Sequence, residues 1–114
     1  MSTYNGFMNV YNGFGATITK VKAIHTTEKG TSQEVTADTL APGAIAAVVA
    51  ITAFSDQEDN WTLDFVDNNG NKKSVGFNDA GFESEDEGGT VVYNISPKAV
   101  KLCFPQSGDE LEDL

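Results

Sequence analysis

The chain has 114 residues and a net charge of −10, with 17 acidic residues, seven lysines and no arginine. A chain of this length forms one domain and buries a core without disulfides or metals. Since arginine is the preferred residue for gripping phosphates and base edges, and acidic surfaces are repelled by nucleic acids and anionic lipids, the composition argues against a nucleic-acid-binding protein.

The sequence predicts a series of short strands separated by turns, and it contains few patterns typical of helices. Two segments are less regular than the others. In residues 16–27 the apolar side chains change from even to odd positions, so we predict a β-bulge near Thr19 and Lys20 that keeps them on the core. Residues 44–54 combine alanines with β-branched residues, and the turn residues before them favour a strand. The strands predicted in chain order are 7–11, 16–27, 33–36, 44–54, a hairpin over 61–77, 90–95 and 99–104.

The hairpin is the clearest pattern in the sequence. Trp61, Leu63 and Phe65 alternate with less apolar residues, and Phe77 lies on the returning strand. The polar run Asp67–Asn71 between the strands contains the Asn and Gly residues that tolerate turn geometry.

These elements predict an all-β fold. We expect a single antiparallel β-sandwich of about seven or eight short strands over residues 1–108. Residues 109–114 are acidic and are expected to form a flexible tail. An unpaired strand at a sheet edge would allow a dimer.

No catalytic motif stands out. His25, the single histidine, lies in a predicted strand and would need a nucleophile from elsewhere, so a structural role is the simpler interpretation. Cys103, the single cysteine, lies between apolar neighbours and is interpreted as a structural thiol. Paired carboxylates remain an alternative for hydrolysis. We therefore expect a protein that is not an enzyme and needs no cofactor.

Acidic residues cluster in the loops before and after the hairpin. Because the outer ends of a hairpin lie side by side, the two loops should meet at one end of the molecule. Carboxylates on adjacent loops suit Ca²⁺, although well-solvated loops without metal are the simpler interpretation. The candidate metal ligands are Asp56, Glu58, Asp59, Asp79, Glu83, Glu85, Asp86 and Glu87.

Aromatic residues lie beside glycines near the N-terminus. Aromatic residues in such a chain belong mainly to the core, and the alternative is that these form an exposed patch, at the end opposite the acidic loops, that contacts sugars or membranes. Trp61 should direct its indole N–H toward the acidic loops. The candidate ligand-binding residues are Tyr4, Phe7, Tyr11, Phe14 and Trp61.

Three motifs resemble a small β-sandwich family named for proteins up-regulated in long-lived insulin-receptor mutants, which is similar to the aegerolysin and actinoporin-like group. They are Val10–Gly15 followed by Ile18, Val21 and His25; the Leu40–Gly43 turn; and the start of the hairpin strand, Asp59-Asn60-Trp61-x-Leu-x-Phe. The resemblance implies an antiparallel sandwich without established catalysis. It also implies lipid binding, or pore formation with partner proteins, as in that wider group.

The sequence thus predicts a non-enzymatic binding module, a lipid- or glycan-engaging component of a toxin or defence system. One alternative is an acidic partner of a basic protein, such as an immunity or inhibitor protein, and another is a calcium-binding sandwich. The N-terminus shows no secretory signal, so synthesis in the cytoplasm is expected, with non-classical release as a further route.

Overall fold

Two packed β-sheets account for most of the described residues, 2–114, in a computed structural model of the chain. The all-β sandwich is therefore confirmed. The strands are β1 (Thr3–Asn12), β2 (Ile18–Thr27), β3 (Ser32–Leu40), β4 (Val49–Phe54), β5 (Asp59–Val66), β6 (Lys72–Phe77), β7 (Thr90–Ile95), β8 (Ala99–Cys103) and β9 (Glu110–Asp113), with one 3-10 turn at Ser84–Asp86. None of these elements is a helix with the length and apolarity that a membrane span requires.

The strand order defines the two sheets. The first sheet has the order β4-β1-β7-β8-β9, and the second sheet has the order β3-β2-β5-β6. All strand pairs are antiparallel except β1 with β7, which run parallel. The sandwich is therefore antiparallel, as predicted, except for the parallel pair of β1 and β7.

The predicted bulge in β2 is present. The pairing of β2 with β5 shifts register between Thr19 and Lys22, and Lys20 has a positive φ of 51°. The extra residue returns the apolar side chains of β2 to the core, so that both Ile18 and Val21 are buried.

The predicted hairpin is also confirmed, as β5 and β6, with Trp61 opposite Phe77. Its turn is organised by Asp67, whose Oδ1 accepts hydrogen bonds from the backbone N–H groups of Asn69 and Asn71, both at 2.9 Å. The first side chain of the polar run thus accepts hydrogen bonds from the backbone of later residues in the same run, which stabilises the turn.

Two of the predicted segments differ in the structure. The strand expected over residues 44–54 begins only at Val49, and before it Ile45 makes an isolated bridge to Tyr11. The expected acidic tail instead supplies β9, which pairs with β8. Main-chain hydrogen bonding to an open sheet edge needs no apolar alternation, so composition gave no sign of this strand.

Candidate functional site

The outer face of the first sheet carries the most unusual surface of the molecule. Side chains alternate along β1, so Met8 and Val10 enter the core while Asn5, Phe7, Asn9 and Tyr11 face outward. Their cross-strand partners include Ala50 and Thr52 of β4 and Thr90, Val92 and Asn94 of β7. None of these outward-facing residues of the three strands carries a charge, although the whole chain has a net charge of −10.

Large apolar side chains are exposed around this face. Phe7 is 42% exposed, Ile45 58% and Val48 56%. Phe7 lies on β1, Ile45 bridges to Tyr11, and Val48 immediately precedes β4. Such a concentration of exposed apolar groups on one side of a small domain is typical of an interaction surface.

A groove of about 450 Å³ lies beside Phe7. The small residues Gly6 and Ala50 line the groove and leave it open, and Asn5, Thr52 and Glu87 add polar groups to its lining. Thr52 Oγ1 donates to Asn5 Oδ1 at 3.2 Å, which fixes the amide at the groove. The volume falls in the range of small-molecule sites.

Asn9 is the outlier on this face. It lies between Phe7 and Tyr11 along β1 and opposite Val92 of β7, and it is only 8% exposed. Among the described residues, none donates a hydrogen bond to its buried Oδ1. A buried acceptor without a donor is destabilising, so Asn9 lowers the stability of this part of the sheet.

The predicted aromatic ligand-binding residues do not form one patch. Phe7 and Tyr11 share the outer face of the first sheet. Tyr4 has the opposite parity and packs partly against the core, and Phe14 packs edge-to-face on Phe65 with ring centroids 5.9 Å apart. Trp61 is fully buried.

Trp61 lies at the centre of a buried aromatic and polar cluster. Its Nε1 donates to the Ala80 carbonyl at 2.7 Å, in the loop after the hairpin, as the sequence predicted. Its indole packs edge-to-face on Tyr93 of β7, in the opposite sheet, and on Phe104, which directly follows β8. Burial raises the pKa of the Tyr93 hydroxyl far above its usual value, and this hydroxyl donates to the Ile24 carbonyl at 3.1 Å, which joins the two sheets.

His25 belongs to the same cluster and is fully buried. Its Nε2 lies 2.6 Å from Asp59 Oδ1 and its Nδ1 lies 2.7 Å from Gln33 Oε1. The ring stacks on Trp61 with centroids 4.2 Å apart. Both ring nitrogens are thus occupied by side chains of the fold, which fits a structural histidine.

The two acidic loops meet at one end of the sandwich. Ala80 N donates to the Asp59 carbonyl and Asp79 N donates to Asn60 Oδ1, both at 3.0 Å. A polar pocket of about 140 Å³ lies between them, lined in part by Glu58, Asp79 and Glu83. We call the exposed carboxylates of this end the acidic pole, and its members are Asp56, Glu58, Asp79, Glu83, Glu85 and Glu87.

Two predicted metal ligands, Asp59 and Asp86, are buried and serve the fold instead. Asp59 Oδ2 accepts from Phe82 N at 3.0 Å while Oδ1 contacts His25. Within residues 2–114, no group of three or more His, Cys, Asp or Glu side chains is arranged to hold a metal ion. The calcium hypothesis therefore receives no geometric support.

Asp86 connects the second acidic loop to the loop after β8. It accepts hydrogen bonds from Gln106 N at 2.8 Å, Ser107 N at 2.9 Å, Ser107 Oγ at 2.6 Å and Glu83 N at 2.9 Å. Burial alone would raise the pKa of Asp86, but these hydrogen bonds outweigh burial and hold that pKa below its usual value.

Cys103 lies on the outer face of the first sheet, opposite Val92, and is half-buried. Burial, and to a lesser degree the charge of Asp109, raises the pKa of its thiol. A raised pKa disfavours the thiolate, which is the nucleophilic form of the thiol.

No family model matches the chain, and no curated protein matches it. Function is therefore inferred from the outer face and the acidic pole. Sequence reasoning found Phe7 and Tyr11 but missed Asn5, Asn9 and Thr52. The alternation of Asn and aromatic residues along β1 is a signal from which Asn5 and Asn9 could have been found. Thr52 could not have been found without knowing that it pairs with β1.

Proposed function

We propose that the protein is a non-enzymatic binding module, a component of a toxin or defence system that engages a glycan or a lipid through the outer face of the first sheet. The observation that carries this proposal is the exposed ring of Phe7 beside a groove of about 450 Å³. A rigid aromatic ring on a strand offers apolar contact area at low entropic cost.

The charge distribution narrows the class of ligand. The outward-facing residues of β1, β4 and β7 are uncharged, whereas six exposed carboxylates form the acidic pole. Because the whole molecule repels anions, an uncharged ligand fits this face better than an anionic lipid. We also propose that the chain is related to the aegerolysin-like sandwiches that its motifs resemble, and the lipid binding of that group agrees with the proposed function.

Substitution of the exposed aromatic residue tests the proposal. Phe7→Ala should weaken binding to an array of neutral glycans, or to phosphatidylcholine vesicles, by about tenfold or more, since a buried aromatic anchor carries much of the energy of such contacts. Val66→Ala is the control, because Val66 is partly exposed at the end of β5, in the second sheet, away from the outer face of the first sheet.

The control variant should bind as the wild-type protein does. Failure of the wild-type protein to bind any glycan or vesicle would contradict the proposal, and so would equal binding by Phe7→Ala.

The acidic pole supports a second candidate, an acidic partner of a basic protein. In the described part of the chain, the ion pairs use Glu34, Asp59 and Asp109, so that no member of the pole is neutralised by one. A concentrated one-sign surface accelerates association with an oppositely charged protein.

A further inference from the structure

We propose that two copies of the chain pair through the free edges of their β4 strands, antiparallel and across a two-fold axis centred at Ile51. The pair joins the first sheets of both copies into one continuous sheet. Three features support this pairing, and none of them depends on the proposed function: the unpaired backbone groups of β4, the absence of charge along this edge and the position of the acidic pole.

Alternate residues of β1 hydrogen-bond to its two neighbouring strands. Phe7 N donates to the Gly89 carbonyl, directly before β7, at 3.0 Å, and Gly88 N donates to the Asn5 carbonyl at 2.8 Å. Because the backbone groups of successive residues in a strand point to opposite sides, the odd-numbered residues of β1 point toward β7. The even-numbered residues of β1 therefore point toward β4.

It follows that alternate residues of β4 point away from β1. The partners of the even-numbered residues of β1 are Val49, Ile51 and Ala53, so these three use their backbone N–H and C=O groups within the sheet. The N–H and C=O groups of Ala50 and Thr52 point outward instead, and within residues 2–114 no other segment hydrogen-bonds to them. Such a row of unpaired groups is a template for another strand.

The β4 edge lacks the features that keep sheet edges apart. Charged side chains and prolines on an edge strand hinder its pairing with a second molecule. β4 has neither, and the chain has no charged residue between Asp38 and Asp56. Each of the other three edge strands carries at least two charges, which are Glu34 and Asp38 of β3, Lys72 and Lys73 of β6, and Glu110, Glu112 and Asp113 of β9.

A second copy of the chain fits this edge in one orientation. Asp56 and Glu58 of the acidic pole follow the C-terminal end of β4. Antiparallel pairing places this end beside the uncharged N-terminal end of the other β4 strand, where Ile45 and Val48 are exposed, so the two poles lie at opposite ends of the pair. Parallel pairing would bring the two poles side by side and would be opposed by like-charge repulsion.

The two-fold axis fixes the register. Residues that lie opposite each other in a sheet share a face, so a symmetric antiparallel pair is centred on one residue. With Ile51 at the centre, Ala50 lies opposite Thr52 of the second copy, and each such pair exchanges two backbone hydrogen bonds. The outer faces of both copies then lie on one side of the joined sheet, which presents two grooves to a single partner or surface.

The mass of the wild-type protein in solution tests the pairing. Sedimentation equilibrium from about 5 µM to about 500 µM should show a shift toward a dimer, since a contact one strand wide gives modest affinity. The expected mass is twice the 12.1 kDa of the chain. Over the same range, amide hydrogen exchange at Ala50 and Thr52 should slow by about fivefold or more, because these amides become hydrogen-bonded only in the dimer. The Ile51 amide, bonded to β1 in both states, is the internal reference.

Ala50→Pro removes an outward-pointing N–H group and leaves the groups that bond to β1 in place. The variant should weaken dimerisation by about tenfold or more. Gly76→Pro is the matched control and should dimerise as the wild-type protein does. Gly76 is exposed on β6, an edge of the second sheet, and alternation from the hydrogen bond of Asp67 N to the Asn71 carbonyl directs its N–H outward as well.

The hydrogen-exchange measurement decides the question if Ala50→Pro does not fold. A wild-type protein that stays monomeric at every concentration would overturn the proposal, even if the β4 edge accepts a strand of a different protein. A dimer that Ala50→Pro leaves unchanged would place the interface elsewhere and overturn the proposal too. The same holds for a dimer in which the Ala50 and Thr52 amides exchange as fast as in the monomer.

Discussion

At the scale of single residues, buried polar side chains hold the loops of this sandwich in place. Asp86, Asp59 and Asn12 are all buried, and each accepts or donates hydrogen bonds that join segments far apart in sequence. Such groups are stabilising only when their partners are present, since a buried polar group that loses its partner is costly. Asp86 is the strongest case because four donors converge on its carboxylate.

Asp86→Asn should lower the free energy of unfolding at pH 7 by about 2–4 kcal/mol, since an amide cannot accept from all the donors that surround the carboxylate. Because the pKa of Asp86 is lower in the folded protein than in the unfolded chain, its contribution is fully present above the unfolded value of about 3.9. The contribution is lost as pH falls through the lower folded-state pKa.

Urea denaturation between pH 7 and pH 2 measures the difference in free energy of unfolding between the wild-type protein and the Asp86→Asn variant. This difference should shrink in the acid range. Asp38→Asn, at an exposed position on β3, is the control and should have little effect. A deficit of the Asp86 variant that is the same at every pH would show that the charge of the carboxylate is not the cause.

At the scale of elements, β1 organises the first sheet because it pairs with β4 on one side and with β7 on the other. At Gly6, β1 also packs against the loop that follows the hairpin. A Cβ atom at this position would lie 2.5 Å from Phe82 Cζ and 2.7 Å from the Gly89 carbonyl oxygen. Gly6 therefore permits a close approach between β1 and the loop.

Gly6→Ala should destabilise the protein by about 1–3 kcal/mol, because the added methyl group overlaps with backbone that cannot easily move. Gly76→Ala is the matched control, since Gly76 also lies in a strand but has no atom within 4 Å of its added Cβ. The control should be neutral or slightly stabilising. Thermal melts of both variants measure the difference, and equal melting temperatures would contradict the packing argument.

Elements with local signals were predicted well from the sequence. The β5–β6 hairpin and the β2 bulge follow from the alternation of neighbouring side chains. The role of Gly6, by contrast, has no local signal: it lies inside β1 and permits close packing against Phe82 and Gly89. The parallel pairing of β1 with β7 joins residues more than 80 positions apart, and no local pattern encodes it.

At the scale of the whole molecule, charge is unevenly distributed. Six exposed carboxylates form the acidic pole, and one of them, Glu87, lines the groove beside Phe7, while the outward-facing residues of β1, β4 and β7 are uncharged. The pole was predictable because a hairpin brings its flanking loops together. The outer face was only partly predictable, because the exposure of Ile45 and Val48 depends on where β4 begins.

Clustering of like charges at the acidic pole should reduce stability at low ionic strength. Asp56→Asn with Glu58→Gln should raise the melting temperature by about 1–3 °C in 10 mM salt, because it relieves repulsion among neighbouring carboxylates. The gain should disappear in 1 M salt, where the screening length is about 3 Å. Asp38→Asn with Glu34→Gln is the matched control: it removes the same two charges at exposed positions on β3, where Lys22 Nζ lies 3.8 Å from Glu34 Oε2. The control should gain less at low salt, because a dispersed charge has fewer near neighbours. Equal gains from both pairs would mean that net charge alone sets the effect, and would weaken the case for a basic protein partner at this end of the molecule.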